Sequence, residues 1–489
     1  MMGFLKKLVN KPWKILVSVI SLLIFLFLLL IGSFAMSTLG HAKELAQAVQ
    51  GGQSASANAS ANQLSADLGK LNQGLSIPGI KHLIAVTGLD FTPIEAELRS
   101  LIQNAPALAG VDGPKKYLVA FQNSAEARGT GGLIGAFAII QFDHGKLKVQ
   151  KTGSNAILKS LNEIPIPMPA EYTSLYRSDP AIWQNSNLSP HFPYGAQIWM
   201  ELWRLQSGEK LDGVIAVDPT ALSYLLKSTG PITLASGEEI TAQNVVQKTL
   251  KDAYKRYEKD NNARKQYLVD IMNATFTRFT SMQFSKLTLA KQVVPVLLQN
   301  RLLIYSTDPT TQDSLSLTKL GGTMNLGPNN EYRAVILNID ASKLDYYLDR
   351  EITVKTMQCG VKATTEVSIK VTNQVTHPEK LSAYVLTRAD KTKPANRVTG
   401  QHRFKVFIYG PNGSTLISAS RSSVKGSAGG VGSERKRPLL ASDVDLSPKQ
   451  SEVIIATFSA GTGPVTFVDQ PLVRPSAVKI SDTCKAVSK

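Results

Sequence analysis

The rhythm of apolar and polar positions changes several times along this 489-residue chain. Ile15–Ile31 is an apolar run broken only by two serines, and no Asp, Glu, Lys or Arg occurs from Ile15 to Ala42. About 20 helical residues cross a hydrocarbon core, so a transmembrane helix is predicted over 15–36. Lys6, Lys7, Lys11 and Lys14 would hold residues 1–14 in the cytoplasm and place the rest outside. The small residues around Ser33-Phe34-Ala35 leave a cleaved signal peptide as the alternative. Residues 37–92 are rich in Ala, Ser, Gln and Asn and read as a stalk or membrane-proximal helices. Candidates are His41–Gln50 and Ser60–Asn72, parted at Gly51-Gly52.

Residues 93–324 mix the helical and strand periods, which predicts an α/β mixed-sheet domain with packed helices. Helices are expected over Pro93–Leu108, over Gly195–Leu205 with Trp199 and Trp203 packed in a core, and over Ala263–Met282. Tyr117–Phe121, Leu133–Phe142 and Lys146–Lys151 read as strands. Strand Leu211–Val217 leads to Asp218, a helix N-cap with Pro219 at the first helical position; the helix ends at Thr229-Gly230 and Pro231–Leu234 follows as a strand. That order reads as a βαβ unit. Thr241 is expected to cap a helix through Val245, Leu250 and Ala253. A long connection begins at the prolines of Ile164–Pro169 and reaches Pro193, carrying Arg177-Ser-Asp179 and Gln184–Asn187; connections of this length are often functional or form lids. From residue 325 the pattern turns to short alternating runs, Tyr332–Ile339, Glu351–Met357, Thr364–Val371, Arg403–Tyr409, Glu452–Phe458 and Pro464–Val468, which predict an all-β sandwich over 325–489. The Gly/Ser-rich Ser422–Pro438, with Arg435-Lys-Arg437, reads as a mobile loop.

Candidate chemistry gathers between the first two strands of the α/β region. Asn123, Glu126, Arg128, Gly131, Gly132 and Gly135 lie between two apolar runs, where strand ends of open α/β sheets bind ligands. The plainer reading is a loop whose glycines permit positive φ and whose Glu126–Arg128 pair is solvated. No Gly-Lys-Ser/Thr follows, so this is not a nucleotide-binding P-loop. Arg256 and Arg264, beside Lys255 and Lys265, flank the junction of two predicted helices; two guanidiniums there would grip a pyrophosphate, or else form an ordinary charged surface. The formal net charge is +17, and residues 351–489 hold 20 Lys+Arg against 10 Asp+Glu. A basic surface suits anionic lipid or an anionic polymer. Neither zinc-finger spacing nor an RNA-binding signature is present, and no nucleic-acid partner is expected. Cys359 and Cys484 would lie outside the membrane and could pair as a disulfide.

Several stretches resemble a known family. Phe121-Gln-Asn123-Ser-Ala-Glu126-Ala-Arg128-Gly-Thr-Gly-Gly-Leu-Ile-Gly135, Leu211–Pro219, Ser228–Pro231 and Ser342-Lys-Leu-Asp-Tyr-Tyr347 are similar to domain of unknown function 4012, a family of bacterial membrane-anchored extracytoplasmic proteins. Pro190-His191-Phe192-Pro193 departs from its pattern, which usually has an Asp before the Phe. The order of parts also resembles, more distantly, the LytR–CpsA–Psr envelope ligases, which move glycopolymers from a polyprenyl-pyrophosphate carrier onto peptidoglycan. That resemblance implies a pyrophosphate held by Arg128, Arg256 and Arg264 with Gln266. It also implies Mg²⁺, for which Glu126 and Asp179 are the available ligands. Two departures count against turnover. Arg128-Gly129-Thr130 replaces the ligases' Arg-Ser-Asp, and Gly153-Ser154-Asn155 replaces their Pro-Arg-Asp. The expectation is therefore a membrane-anchored envelope protein that binds a phosphate-bearing lipid-linked or cell-wall glycan at the cytoplasmic membrane. A metal-dependent phosphotransferase or ligase, and a non-catalytic surface scaffold, are the alternatives.

Overall fold

A computed structural model describes residues 38, 40–75, 94–281, 286–327, 329–358, 363–386, 397–423 and 428–481. The predicted span at 15–36 and the Cys359–Cys484 pairing lie outside the described residues. Among the described residues no helix is long and apolar enough to cross a membrane.

The chain divides into two compact units. The first takes the described residues before Lys115 together with Phe142–Lys146. Its helices break at Gly51-Gly52, as the glycine pair predicts, and resume as α1 (Ser54–Leu75). Gly52 sits at φ +65°, which a side chain rarely tolerates. Helix α2 (Glu95–Leu108) lies against α1, with Arg99 donating to Ser65 Oγ at 3.2 Å. The helix expected to open the α/β domain thus groups with the helices before it.

The second unit holds everything else from Lys115 onward. A mixed five-stranded sheet has the order β3-β2-β1-β4-β7, formed by β1 (Lys115–Arg128), β2 (Gly131–Asp143), β3 (Lys146–Ser154), β4 (Gly213–Val217) and β7 (Leu302–Ser306). β1 and β4 are parallel, with Tyr117 opposite Gly213; β7 runs antiparallel to β4. The connection after β3 contains α3 (Ala170–Tyr176) and delivers α4 (Phe192–Ser207), which buries Trp199 and Trp203 as its spacing predicts. Asp218 caps α5 (Pro219–Thr229), accepting from the Ala221 N–H at 2.8 Å. The predicted βαβ unit does not form. At Gly230 (φ +80°) the chain turns away, and β5 (Ile232–Thr233) pairs only with β6 (Glu239–Ile240) in a separate hairpin. The helix after Thr241 contains a π-turn over Lys248–Asp252 before Ala253–Arg256; α6 (Asn261–Thr280), capped by Asp260, and α7 (Lys286–Leu298) follow.

The C-terminal strands form two further five-stranded sheets. One has the order β13-β14-β11-β8-β16, from β8 (Glu331–Asn338), β11 (His402–Tyr409), β13 (Gly430–Glu434), β14 (Arg437–Leu446) and β16 (Thr466–Asp469). The other is β12-β15-β10-β9-β17, from β9 (Leu348–Gln358), β10 (Thr364–Asn373), β12 (Leu416–Arg421), β15 (Ser451–Ser459) and β17 (Ala477–Ser481). They face each other like a sandwich: Tyr332, Ile336, Phe404 and Val406 of the first meet Ile352, Val367, Ile369 and Ile454 of the second. The first sheet is buried on its other face too, where Val335, Leu337, Phe407, Tyr409 and Leu439 join the core containing Trp183, Trp199 and Trp203. A sheet covered on both sides cannot separate from the α/β region without exposing apolar area. The expected boundary at 325 therefore falls inside one compact unit.

The segment read as a mobile loop, Ser422–Pro438, is in large part the β13–β14 hairpin. Arg435 and Lys436 form its turn at φ +53° and +59°. Arg437 is fully buried and ion-pairs with Glu331 at 3.1 Å. At the end of β13, Glu434 is fully buried and accepts from Tyr409 Oη at 2.7 Å and Tyr176 Oη at 3.0 Å. Burial raises its pKa above the ordinary 4.5, against hydrogen bonds from Ser189, Tyr409 and Tyr176. An acid that holds its proton more tightly when folded stabilises the fold fully below its unfolded pKa. That stability is lost as pH rises toward the folded value. Each tenfold difference in proton affinity corresponds to about 1.4 kcal/mol. Glu434→Gln should remove this loss, so urea unfolding from pH 4 to pH 9 should show the variant gaining on the parent as pH rises. Parallel profiles would disprove it.

Candidate functional site

The polar stretch expected to be a loop between two strands is itself strand. β1 runs to Arg128 and β2 starts at Gly131, leaving Gly129-Thr130 as the turn. The strands persist because most of their buried polar side chains find partners, Ser124 Oγ being an exception. Thr130 Oγ1 donates to Gln122 Oε1 at 2.9 Å, and Asn187 Nδ2 reaches Gln122 Oε1, Thr130 Oγ1 and the Gly132 carbonyl at 3.0, 2.7 and 2.9 Å. The glycines here serve close approach of backbones. A Cβ at Gly129 would stand 2.2 Å from the Leu188 carbonyl oxygen, and one at Gly132 2.2 Å from the Asn123 backbone; Gly131 has φ +132°.

Arg128 is spent on the same task. Its Nε donates to the Gln184 carbonyl at 3.0 Å and Asn185 Oδ1 at 3.1 Å, and its Nη1 to the carbonyls of Ala127 at 2.9 Å and Asn338 at 3.3 Å. Its Nη2 donates to Asn185 Oδ1 and Glu126 Oε1, both at 2.9 Å. No nitrogen of the guanidinium lacks a partner. Arg128 therefore staples the long connection and β8 to the end of β1. The Gln184–Asn187 segment is fastened down by it.

Glu126 carries the network onward. Its second carboxylate oxygen accepts from Lys343 Nζ, which also donates to the Ala341 carbonyl at 3.3 Å. Lys343 stands 6.0 Å from the Tyr254 ring and 5.4 Å from the Tyr384 ring. Burial works against its charge, but Glu126 and the two tyrosines hold its pKa above the usual lysine value. Tyr254 and Tyr384 are stacked, with centroids 5.6 Å apart at 16°. Arg264 lies over both rings, at 4.8 Å and 3.8 Å. It is 4% exposed and bonds Asn261 Oδ1 through Nη2, while its Nη1 is buried without a partner among the described residues. Asn123 closes the group by donating to Tyr254 Oη. Arg128 and Arg264, far apart in sequence, thus belong to one buried cluster in which, among the described residues, Arg128 and Lys343 meet the carboxylate of Glu126 and Arg264 shares the tyrosine pair with Lys343.

A small apolar cleft of about 50 Å³ adjoins this cluster. Phe121, Ala136, Leu222, Leu268, Ile271 and Met272 line it, and Asn123 lies at its border with the polar cluster. Leu268 is one helical turn beyond Arg264 on α6, so one helix face serves both.

Arg256 belongs to a different group. It is exposed, pairs with Glu238 at 2.5 Å, and lies over Tyr257 and Tyr267 at 5.1 and 5.4 Å. Gln266 donates to Asp270 on the helix surface at 2.8 Å. Asp179 is exposed at the start of a short 3₁₀ turn. The donor set does not fit Mg²⁺: both oxygens of Glu126 are held by cations, and among the described residues no three Asp, Glu, His or Cys side chains group as ligands. His191, the departure noted above, accepts from the Met324 N–H at 3.1 Å; burial, with Arg435 and Arg333 nearby, holds its pKa well below 6.5, so it is neutral.

Residues 112–254 match the family described as "Protein of unknown function (DUF4012)". This stretch is similar to that family. It carries β1 to β4, α5 and Tyr254, but neither Arg264 nor Lys343. Solved structures similar to the chain include protein gbs0355 of Streptococcus agalactiae, at 11% identity over 44% of this chain and 76% of that one, with a TM-score of 0.27. The protein titled transcriptional regulator yvhJ of Bacillus subtilis follows at 11% identity, covering 44% and 83%, with a TM-score of 0.22. Lin1025 of Listeria innocua has 12% identity over 45% and 85%, with a TM-score of 0.22. No curated protein matches by sequence.

The sequence reading missed Lys343, Tyr254 and Tyr384. Lys343 lies in Ser342–Tyr347, a stretch singled out for its resemblance to the DUF4012 family, yet nothing local marks it as facing Glu126 across 217 positions. The two arginines predict opposite behaviour. Arg128→Ala should cost about 3–5 kcal/mol in urea unfolding, because it breaks a buried ion pair and takes the donor from one oxygen of Glu126 and from several carbonyls. Arg256→Ala should stay within about 1 kcal/mol, as exposed ion pairs do. Equal losses would overturn this assignment.

Proposed function

We propose that this is a membrane-anchored extracytoplasmic envelope protein that binds a phosphate-bearing lipid-linked or polymeric glycan. The observation that carries the reading is the buried guanidinium of Arg264, which among the described residues has no ion-pair partner and one unsatisfied nitrogen, near an apolar cleft. Burying a charge without a counterion is costly. A phosphate group supplied by a ligand offsets that cost, with guanidinium–phosphate hydrogen bonds that are among the strong ones. The apolar lining of the cleft suits the part of a lipid carrier next to its phosphate. Anchorage rests on the apolar run Ile15–Ile31 and the lysines before it. The basic C-terminal sheets favour anionic headgroups or wall polymer nearby.

Binding without turnover is preferred to the ligase alternative because Glu126 is engaged by Arg128 and Lys343, so no acid in the cluster is free to hold a cation. The scaffold alternative has no use for a buried guanidinium lacking a counterion.

The test uses the full chain in detergent micelles and isothermal titration. A polyprenyl pyrophosphate, inorganic pyrophosphate, a phosphodiester-linked wall polymer and a neutral glycan are compared. Phosphate-bearing ligands should bind and the neutral glycan should not. Arg264→Gln should weaken the phosphate-bearing ligands at least roughly tenfold, the loss of one charge-assisted contact. Leu268→Glu should weaken the polyprenyl ligand and spare inorganic pyrophosphate. Equal affinity for neutral and phosphate-bearing glycans would refute the proposal.

A further inference from the structure

Lys343 and Arg264 come from distant parts of the chain, yet they share one pair of tyrosines. The backbone fixes this arrangement: the Lys343 N–H donates to the Val385 carbonyl at 3.0 Å, tying the lysine to the segment that carries Tyr384. Tyr254, Leu344, Val375 and Val385 form a small core beneath, with Tyr384 packed against it. Arg264 has an open donor, whereas Lys343 is occupied by Glu126. Glu126 does not depend on Lys343 alone, because its other oxygen keeps the Arg128 contact at 2.9 Å. Arg128 is itself immobilised on both sides, so Glu126 has a fixed partner whether or not the lysine stays. The residue two positions before Lys343, Ala341, sits at φ +52°, a strained conformation for a residue with a side chain.

We infer that Glu126 is an internal stand-in for the ligand's anion, holding Lys343 until a phosphate-class group takes over that ammonium and bridges it to Arg264 across the Tyr254–Tyr384 pair. Lys343 is then a specificity residue contributed by the C-terminal region, and Glu126 sets how strong an anion must be to bind. This rests on the Arg264 site proposed above. A single negative charge competes poorly with the built-in carboxylate, whereas a pyrophosphate, carrying several charges, can satisfy both cations at once. The site thereby discriminates by charge as well as by shape.

The isosteric variant Glu126→Gln keeps an oxygen for Arg128 but offers Lys343 no charge to hold. Inorganic pyrophosphate, titrated into the full chain in detergent, should bind Glu126→Gln at least roughly tenfold more tightly than the parent, the gain from releasing one close charge pair. Inorganic sulfate, weak on the parent, should gain by a larger factor. Adding Lys343→Gln to Glu126→Gln should erase the gain. Should Glu126→Gln fail to fold, Glu126→Asp keeps the charge and the Arg128 pair while withdrawing from Lys343, and an intermediate gain is expected. If neither folded variant binds more tightly than the parent while Arg264→Gln weakens binding, the Glu126–Lys343 pair is only structural and this inference falls. If Arg264→Gln changes nothing in any background, the site proposed above fails instead.

Discussion

A charge removed from water has to meet an opposite charge or a full set of hydrogen bonds, and the second unit of this protein is arranged around that requirement at the end of β1. Glu126 and Arg128 alternate there with Ala125 and Ala127, which are fully buried. Alternation along a strand sends the alanines to one face and the ionic pair to the other. Ala127 joins the core between the two C-terminal sheets, and its N–H donates to Asp345 Oδ2 at 2.8 Å. Arg128 reaches the long connection and β8, Gln470 Nε2 reaches the Arg128 carbonyl at 2.6 Å, and Glu126 reaches Lys343. One strand end thus makes the α/β sheet, the connection and the C-terminal sheets parts of one body. Removing any one partner leaves the others charged or unsatisfied in a dry interior, which costs far more than the pair contributes over an apolar replacement.

That dependence explains which parts of the fold were legible in the sequence. Helix α5 could be read with its cap, because Asp218, Pro219 and Gly230 act within a few residues of where they stand. Most strands of the sandwich could be read from alternation, as in β10, whose half-buried and buried positions alternate along its whole length. β8 is different. Its residues from Tyr332 to Asn338 are all buried, since one face meets the second C-terminal sheet and the other meets the aromatic core around Trp199. An unbroken run of this kind does not say what covers either face. The sandwich was visible, but its union with the α/β region was not.

The site was half legible for a related reason. Asn123, Glu126 and Arg128 stood out as polar residues in an apolar setting, and the structure does group them. Their role differed from expectation, because a buried polar side chain looks the same in sequence whether its partner is a ligand or the protein. Arg128 finds partners for all its nitrogens, and Arg264 finds none for its Nη1 among the described residues. Arg256, its apparent twin two helices' junction away, meets Glu238 at the surface. The glycines carried a structural signal that had been read as a binding one. Only the backbones of Leu188 and Asn123, close against Gly129 and Gly132, decide between those readings.

The tyrosine pair bears on why the cluster tolerates an excess of positive charge. Aromatic faces carry partial negative charge, and a cation over a desolvated ring is stabilised by about 2 kcal/mol or more. Arg264 and Lys343 both use Tyr254 and Tyr384 in this way. Rings soften the charge without neutralising it, and they donate nothing that an anion would have to displace. A carboxylate in place of either tyrosine would pair the guanidinium and close the site; an aliphatic residue would leave the charge with no support. Stacked tyrosines are the intermediate choice that keeps a buried cation both tolerable and available.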